Sequence, residues 1–378
     1  MVSGADEPLI RLARPDIDDA DIAAVAEVLR SGFLVQGPQV QAFESRIAEM
    51  AGAAHGVAVA NCTAALQLAL LVLDVGPGDA VAVGAYSWPA SANVIALVGA
   101  EPVFVDIDPV SWTMRPDALK TALATHPHVK AVMPVHVFGA MADLPAICAL
   151  AESRRLPVVE DAACALGASL AGRPAGGWGR VGCFSFHPRK SVTTGEGGVL
   201  VTSDPAVARR ARALRNHGLD PDAAAPDFIL PGYNLRLTEM QGALGVSQLR
   251  KFTRLLDRRR EVAGWYAEAL AGSDVTLQGA PAPEAHAYQA YVVLLPRGVQ
   301  RDSAIAALRQ AGIETTIGTH HQPLTSWFRT RGRHRPGDFP VTDDVAARAL
   351  ALPLHSALTR RDVDRVARAL TQVLRGPR

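Results

Sequence analysis

The sequence predicts an α/β protein with a mostly parallel central sheet sandwiched by helices, followed by a smaller C-terminal α+β domain. Three observations predict it. Short β-branched runs alternate with segments of helical period through the first half of the chain. Those runs are almost continuously apolar, as strands covered on both faces are. Beyond position 202 the alternation gives way to long charged helical stretches and scattered strands, which marks a second unit. The boundary falls near 250, giving a large domain, 1–250, and a small one, 251–378.

The elements follow in order. Residues 18–30 place Ile22, Val25, Ala26 and Leu29 on one face and stop at Gly32, a helix with a glycine end. Residues 38–51 read as a second helix. Strand 56–60 leads to helix 63–73, strand 80–83 to helix 90–98, strand 102–105 to helix 116–124, and strand 131–135 to helix 144–154. Strand 157–159 ends in Glu160-Asp161, and strands 181–186 and 198–202 flank Lys190. Helix 205–215, a loop over 216–230 and a mostly helical stretch over 238–270 come next. Strand 287–295 and helices 303–311, 345–350 and 360–374 complete the chain.

A chain of 378 residues, 49% hydrophobic, is long enough for two domains and a large core. Its net charge of +1 provides no field for nucleic acid or an anionic membrane. The four cysteines, Cys62, Cys148, Cys164 and Cys183, lie far apart without metal-ligand spacing, so no metal site is expected. A reducing, cytoplasmic compartment fits that usage. The opening residues carry charges where a signal peptide has its apolar segment. The most apolar helical run, 64–75, is short for a bilayer and is interrupted by Gln67 and Asp74.

Ligands of parallel sheets sit beyond the carboxyl ends of the strands, and four features fall there. Asn61-Cys62-Thr63-Ala64-Ala65 joins a strand to a helix, with Thr63 able to cap it and the N–H groups of 63–65 facing outward. Such an N-terminus suits a phosphate, although every helix needs a cap. Trp88, in Tyr86-Ser87-Trp88-Pro89, can cover a planar ring or belong to the core. Glu160-Asp161 puts two carboxylates after a buried strand; a buried one needs a cation, from an arginine or a protonated ring nitrogen. Finally, Ser185-Phe186-His187-Pro188-Arg189-Lys190 sets a lysine between two strands, either a solvated hairpin tip or an amine for an aldehyde, with Ser185 offering a hydroxyl. Together these are what pyridoxal 5'-phosphate (PLP) requires: an amine, an acid facing the ring nitrogen, a phosphate cradle and an aromatic cover.

Longer stretches carry a family resemblance. Leu12-Ala13-Arg14-Pro15, Ser31-Gly32-Phe33-Leu34-Val35-Gln36-Gly37-Pro38, Cys62-Thr63-Ala64-Ala65-Leu66 and Pro102-Val103-Phe104-Val105-Asp106-Ile107-Asp108 belong to it. So do Glu160-Asp161-Ala162-Ala163, the Ser185–Lys190 block with Thr194-Gly195-Glu196-Gly197-Gly198, Gly232-Tyr233-Asn234-Leu235-Arg236, Gln241 and His320. The chain resembles the DegT/DnrJ/EryC1/StrS family of PLP-dependent sugar aminotransferases over nearly its whole length. The resemblance implies the type I PLP-dependent aminotransferase fold, with the cofactor in the large domain. It implies that Lys190 links to the cofactor aldehyde and later moves the substrate proton. Asp161 would face the pyridinium and Trp88 the ring. Thr63, the N–H of Ala64 and Ser185 would hold the phosphate, with Asn234 reaching it from the neighbouring subunit of a homodimer with shared active sites. His187 and His320 would line the substrate pocket.

Two positions depart from the family pattern. Cys164 stands where Gln or His is common near the cofactor hydroxyl, and Cys62 where glycine is common. Retention of Lys190 favours transamination over the dehydration carried out by relatives with histidine there. The implied reaction moves an amino group from an amino acid, L-glutamate by resemblance, to a keto sugar. His187, where the C3-aminating branch tends to have tyrosine, points to C4 of a nucleotide-linked 4-keto-6-deoxy sugar. A C3 keto-sugar or cyclitol aminotransferase, and a PLP-bound regulator without turnover, stay open as alternatives. The basic run Arg329-Thr330-Arg331-Gly332-Arg333-His334-Arg335 is either a nucleotide-diphosphate contact or a solvated loop.

Overall fold

A computed structural model describes residues 8–279, 284–332 and 334–375. The charged opening stretch lies largely outside the described residues. Seven short strands carry the large domain: β1 (His55–Val59), β2 (Ala80–Gly84), β3 (Glu101–Val105), β4 (Val129–Met133), β5 (Val159–Asp161), β6 (Val181–Ser185) and β7 (Gly198–Thr202). They form two hydrogen-bonded arrays, β3-β2-β4 and β5-β6-β7-β1. Parallel bridges Val132–Val158 and Val135–Asp161 join β4 to β5, so the sheet runs β3-β2-β4-β5-β6-β7-β1. Only β7 is reversed: it pairs antiparallel with both β6 and β1, while the other pairings are parallel.

Side-chain alternation explains the two covered faces. Val81 and Val83 of β2 enter one apolar cluster, and Ala80 and Ala82 the other side. Val57 and Val59 of β1 likewise oppose Ala58. The helix Cys62–Val72 packs on the first face with most of its residues buried, which is why it reads as apolar all round.

The small domain is an antiparallel sheet: β8 (Thr276–Leu277), β9 (Tyr291–Leu294), β10 (Thr316–Ile317) and β11 (Ala349–Leu352), in the order β8-β9-β11-β10. Helices Phe252–Ala269, Arg301–Gln310 and Arg360–Leu374 supply its core, with Val262, Tyr266, Leu308, Val366 and Leu370 buried against Val293 and Leu350. Ile10, from the start of the chain, joins this core and bridges Ile313. The expected helix 345–350 is different: a helix Pro340–Arg348 ends there, and Ala349–Leu352 is a central strand. Its ALAL run is too short to separate helix from strand by period, and pairing with β9 decides.

Candidate active site

All parallel strands end at one edge of the sheet, and the reversed β7 begins there. Residues after β1, β2, β4, β5 and β6 therefore converge. Gly198 packs its backbone against the turn after β1. A Cβ on it would meet Asn61 C and O and Cys62 N at 2.4–2.6 Å. Only glycine lets β7 lie against the turn that starts the helix Cys62–Val72.

That helix is capped by Asn61, not by Thr63. Asn61 has extended backbone, and its Oδ1 accepts the Ala64 N–H at 2.9 Å. The Ala65 N–H goes to the Asn61 carbonyl at 3.2 Å. Of the three N–H groups expected to face outward, two are thus engaged within the cap. Thr63, in the first turn, is exposed.

Glu160 and Asp161 end β5 on opposite faces. Glu160 is fully buried and saturated. Its oxygens accept the N–H groups of Gly176 at 2.8 Å and of Trp178 and Gly179 at 2.6 Å each, and one lies 3.1 Å from His136 Nε2. Among the described residues the carboxylate of Asp161, 4% exposed, accepts only the Ser91 hydroxyl at 2.7 Å and the Ala163 N–H at 3.2 Å. Burial pushes its carboxyl up; the two hydrogen bonds and then the charges of Lys190 and His136 oppose this. Among the described residues no cationic side chain pairs with it.

Lys190 lies in the excursion 186–197 between β6 and β7. The ends of this excursion are closed by the Ser185–Gly198 pair and by Phe186 N–H donating to Gly197 O at 2.9 Å. The Thr193 hydroxyl donates to Phe186 O, and Thr194 N–H bonds the same carbonyl. Lys190 is half-buried, and its Nζ contacts Cys164 Sγ at 3.1 Å. The solvated-hairpin alternative does not describe this lysine. Ser185, the last residue of β6, is half-buried at the same edge.

Trp88 is 64% exposed above this edge and meets the His320 ring edge-on, centroids 5.3 Å apart. A two-stranded pairing of His320–His321 with Tyr86–Ser87 brings them together. His187 Nδ1 accepts the Arg189 N–H at 3.2 Å, and its ring faces Glu196 at 4.0 Å. Burial lowers the pKa of both His187 and His320, with Glu196 opposing this at His187. Asn234 lies in an exposed segment that bridges back to Asn216 and then runs beside the end of β1. Arg329 and Arg331 fall on the helix Ser326–Gly332, with Arg331 stacked over Trp327 at 3.2 Å; position 333 lies outside the described residues.

Three groups escaped sequence reasoning. Ser91 holds Asp161, and Gln322 ties the Ala92 N–H to the Gly84 carbonyl. Arg259 is buried and, among the described residues, has carbonyl partners only: Gln289 at 3.0 Å, Tyr288 at 3.2 Å, and Lys190 and Leu354 at 3.5 Å. Burial pulls its pKa down to about 10. None has a local signal, because each partner is distant in sequence. Asn61 did have one, being a preferred cap residue placed three before Ala64.

A model of the DegT/DnrJ/EryC1/StrS aminotransferase family matches residues 15–371. The chain belongs to that family. Solved structures agree in fold and in cofactor. The Streptococcus pneumoniae protein Spr1654, determined in PLP and PMP forms, is 29% identical and covers 97% of this chain and 99% of its own at a TM-score of 0.92. TlmJ, an aminotransferase from Streptoalloteichus hindustanus, is 34% identical, with 97% and 99% covered and a TM-score of 0.90. DesV from S. venezuelae, captured with a ketimine intermediate, is 33% identical, with 97% and 98% covered and a TM-score of 0.89. This sugar-aminotransferase family member therefore has the type I fold and is a PLP-dependent transaminase.

The residues present fit that cofactor. Asp161 is a buried carboxylate without a paired cation, the complement of a protonated ring nitrogen. Lys190 offers an amine whose only side-chain partner among the described residues is a thiol. Among the described residues no cluster of His, Cys, Asp or Glu could hold a metal, and no helix is long and apolar enough to cross a membrane.

Proposed function

We propose that this aminotransferase carries an amino group from L-glutamate to C4 of a nucleotide-linked 4-keto-6-deoxy sugar. The observation that carries the reading is the convergence of Asp161, Lys190, Trp88 and His187 at one edge of the sheet. His187 in the run before Lys190 is what favours C4 over C3.

Bound PLP supplies an electron-withdrawing ring that stabilises negative charge on the substrate carbon. Lys190 Nζ would hold the cofactor and, once released from it, would carry the proton away from the substrate carbon and return it. Asp161 keeps the ring nitrogen protonated, and Ser91 fixes the rotamer of its carboxylate. Thr63, the Ala64 N–H and Ser185 hold the phosphate at the head of the helix Cys62–Val72. Ala64 joins only if its N–H is shared with Asn61. Trp88 would cover the ring, Cys164 would neighbour the ring hydroxyl, and His187 and His320 would orient the sugar.

The reading includes a homodimer in which Asn234 of one chain completes its neighbour's phosphate site. Phe33 at 56%, Val35 at 46%, Phe228 at 63% and Tyr233 at 42% exposure support it, because such apolar residues sit on or next to the Asn234 segment. It also divides the chain into a cofactor-binding domain, 1–250, and a small domain, 251–378. The break at Lys251 between helices Glu239–Arg250 and Phe252–Ala269 supports that boundary.

The test is spectroscopic. The PLP-loaded protein with L-glutamate is expected to convert to the pyridoxamine form and release 2-oxoglutarate. That form is then offered nucleotide-linked 4-keto and 3-keto sugars and cyclic ketones. Amination of the 3-keto sugar or a cyclitol ketone alone overturns the C4 assignment. No conversion with any amino donor overturns turnover itself and leaves the regulator.

A further inference from the structure

Of the four free cysteines, Cys164 is the one that touches an amine. Cys62 and Cys183 are buried, and burial holds both thiols far up. Cys148 is half-buried and pushed up to about 11, by burial first and then by Glu160. Such thiols are poor nucleophiles. Cys164 is half-buried at the open edge of the sheet, where substrates must enter.

Both backbones behind the Cys164–Lys190 contact are fixed. Cys164 lies in a turn closed by Ala165 N–H to Ala162 O at 2.9 Å. Gly139 is packed so near that a Cβ there would meet the Cys164 carbonyl at 3.1 Å. Lys190 N–H donates to His187 O at 2.8 Å, and Arg259 holds the Lys190 carbonyl. The 3.1 Å between Nζ and Sγ is thus held between two anchored segments. Among the described residues Nζ has no other hydrogen-bond partner to compete.

We propose that Cys164 and Lys190 form a reversible sulfur–nitrogen link when a hydroperoxide reaches the protein with the Lys190 amine free. The sulfur attacks the hydroperoxide and becomes a sulfenic acid; the O–O bond breaks and the peroxide is reduced to water or an alcohol. The amine lone pair then attacks that sulfur. The S–O bond breaks, and the departing hydroxyl takes an amine proton to leave as water. Sulfur is oxidised by two electrons and the hydroperoxide is reduced by two. The thiol and one amine hydrogen leave, and the amine can no longer hold the cofactor until a thiol reductant reopens the link. Only this consequence rests on the function proposed above.

The test uses the full chain loaded with pyridoxamine phosphate, which leaves Lys190 free, and the same chain loaded with PLP. Each is treated with hydrogen peroxide and read by intact mass and peptide mapping. The expected product has lost about 2 Da, maps to a peptide pair containing Cys164 and Lys190, and reverts with dithiothreitol. Lys190→Ala and Cys164→Ser each abolish it. The PLP-loaded chain forms it on the order of tenfold more slowly, because the amine is engaged. Oxygen adducts on Cys164 without the mass loss, persistence of the loss in Lys190→Ala, or its mapping to a Cys62–Cys164 disulfide overturns the link. Equal rates in both loaded forms, with the cross-link mapped as expected, uphold the link and instead sink Lys190 as the residue that holds PLP.

Discussion

The two faces of β5 put neighbouring carboxylates to opposite uses. On one face Glu160 is saturated by three backbone N–H groups and His136, and it ties the segment 176–179 to the sheet. On the other, Asp161 is equally enclosed but has one hydroxyl and one N–H. The difference teaches that burial alone does not mark a functional acid. An acid left short of partners is poised for a cation that the chain does not itself supply, whereas a satisfied one is part of the frame.

The largest expected effect tests the chemical face. Lys190→Ala is expected to lower turnover by roughly 10³-fold or more while the urea midpoint of the cofactor-free protein stays put. Steady-state rates beside denaturation curves read both, and normal turnover removes Lys190 from the reaction. Next comes the contrast itself. Glu160→Gln is expected to cost about 3 kcal/mol of stability, because an amide cannot satisfy three N–H donors and leaves buried groups unpaired. Asp161→Asn is expected to lose activity yet not stability. If both variants destabilise equally, the comparison fails.

The pH dependence sharpens it. Burial raises the Asp161 pKa in the folded chain above its unfolded value. The folded state therefore keeps a proton that the unfolded state has released, and stability falls as pH rises from the ordinary aspartate range through the raised value. In the cofactor-free protein, Asp161→Asn should match the parent below that window and exceed it above, as read by urea midpoints across pH. Gly198→Ala comes next, at about 2 kcal/mol, since its methyl would press on the Asn61–Cys62 backbone. Its cofactor affinity should fall with it. Asn61→Ala is the smallest, about 1 kcal/mol for a lost cap, measured by thermal melting.

Much of this was legible in the sequence because the relevant period is short. Two-residue alternation in runs such as AVAVG places strands, and motifs at strand ends place Lys190, Asp161 and Trp88 on one edge. Which of Glu160 and Asp161 is left short of partners was not legible from spacing, since their partners sit elsewhere in the chain: Gly176 and Gly179 for one, Ser91 for the other. Arg259 was hidden for the same reason, one arginine among several in a charged helix. The strand Ala349–Leu352 was missed because its neighbours, not its own residues, make it a strand.

The reversed β7 has a further consequence. Because Ser185 and Gly198 pair with each other, the segment that bears His187 and Lys190 leaves the sheet and returns to it at a single rung. Strand order is therefore set outside this segment, which is held in its own shape by the Thr193 and Thr194 bonds to Phe186 O and by Gln241 on Glu196 O. The side chains of this segment can thus vary acceptor contacts while the strands on either side keep their pairing.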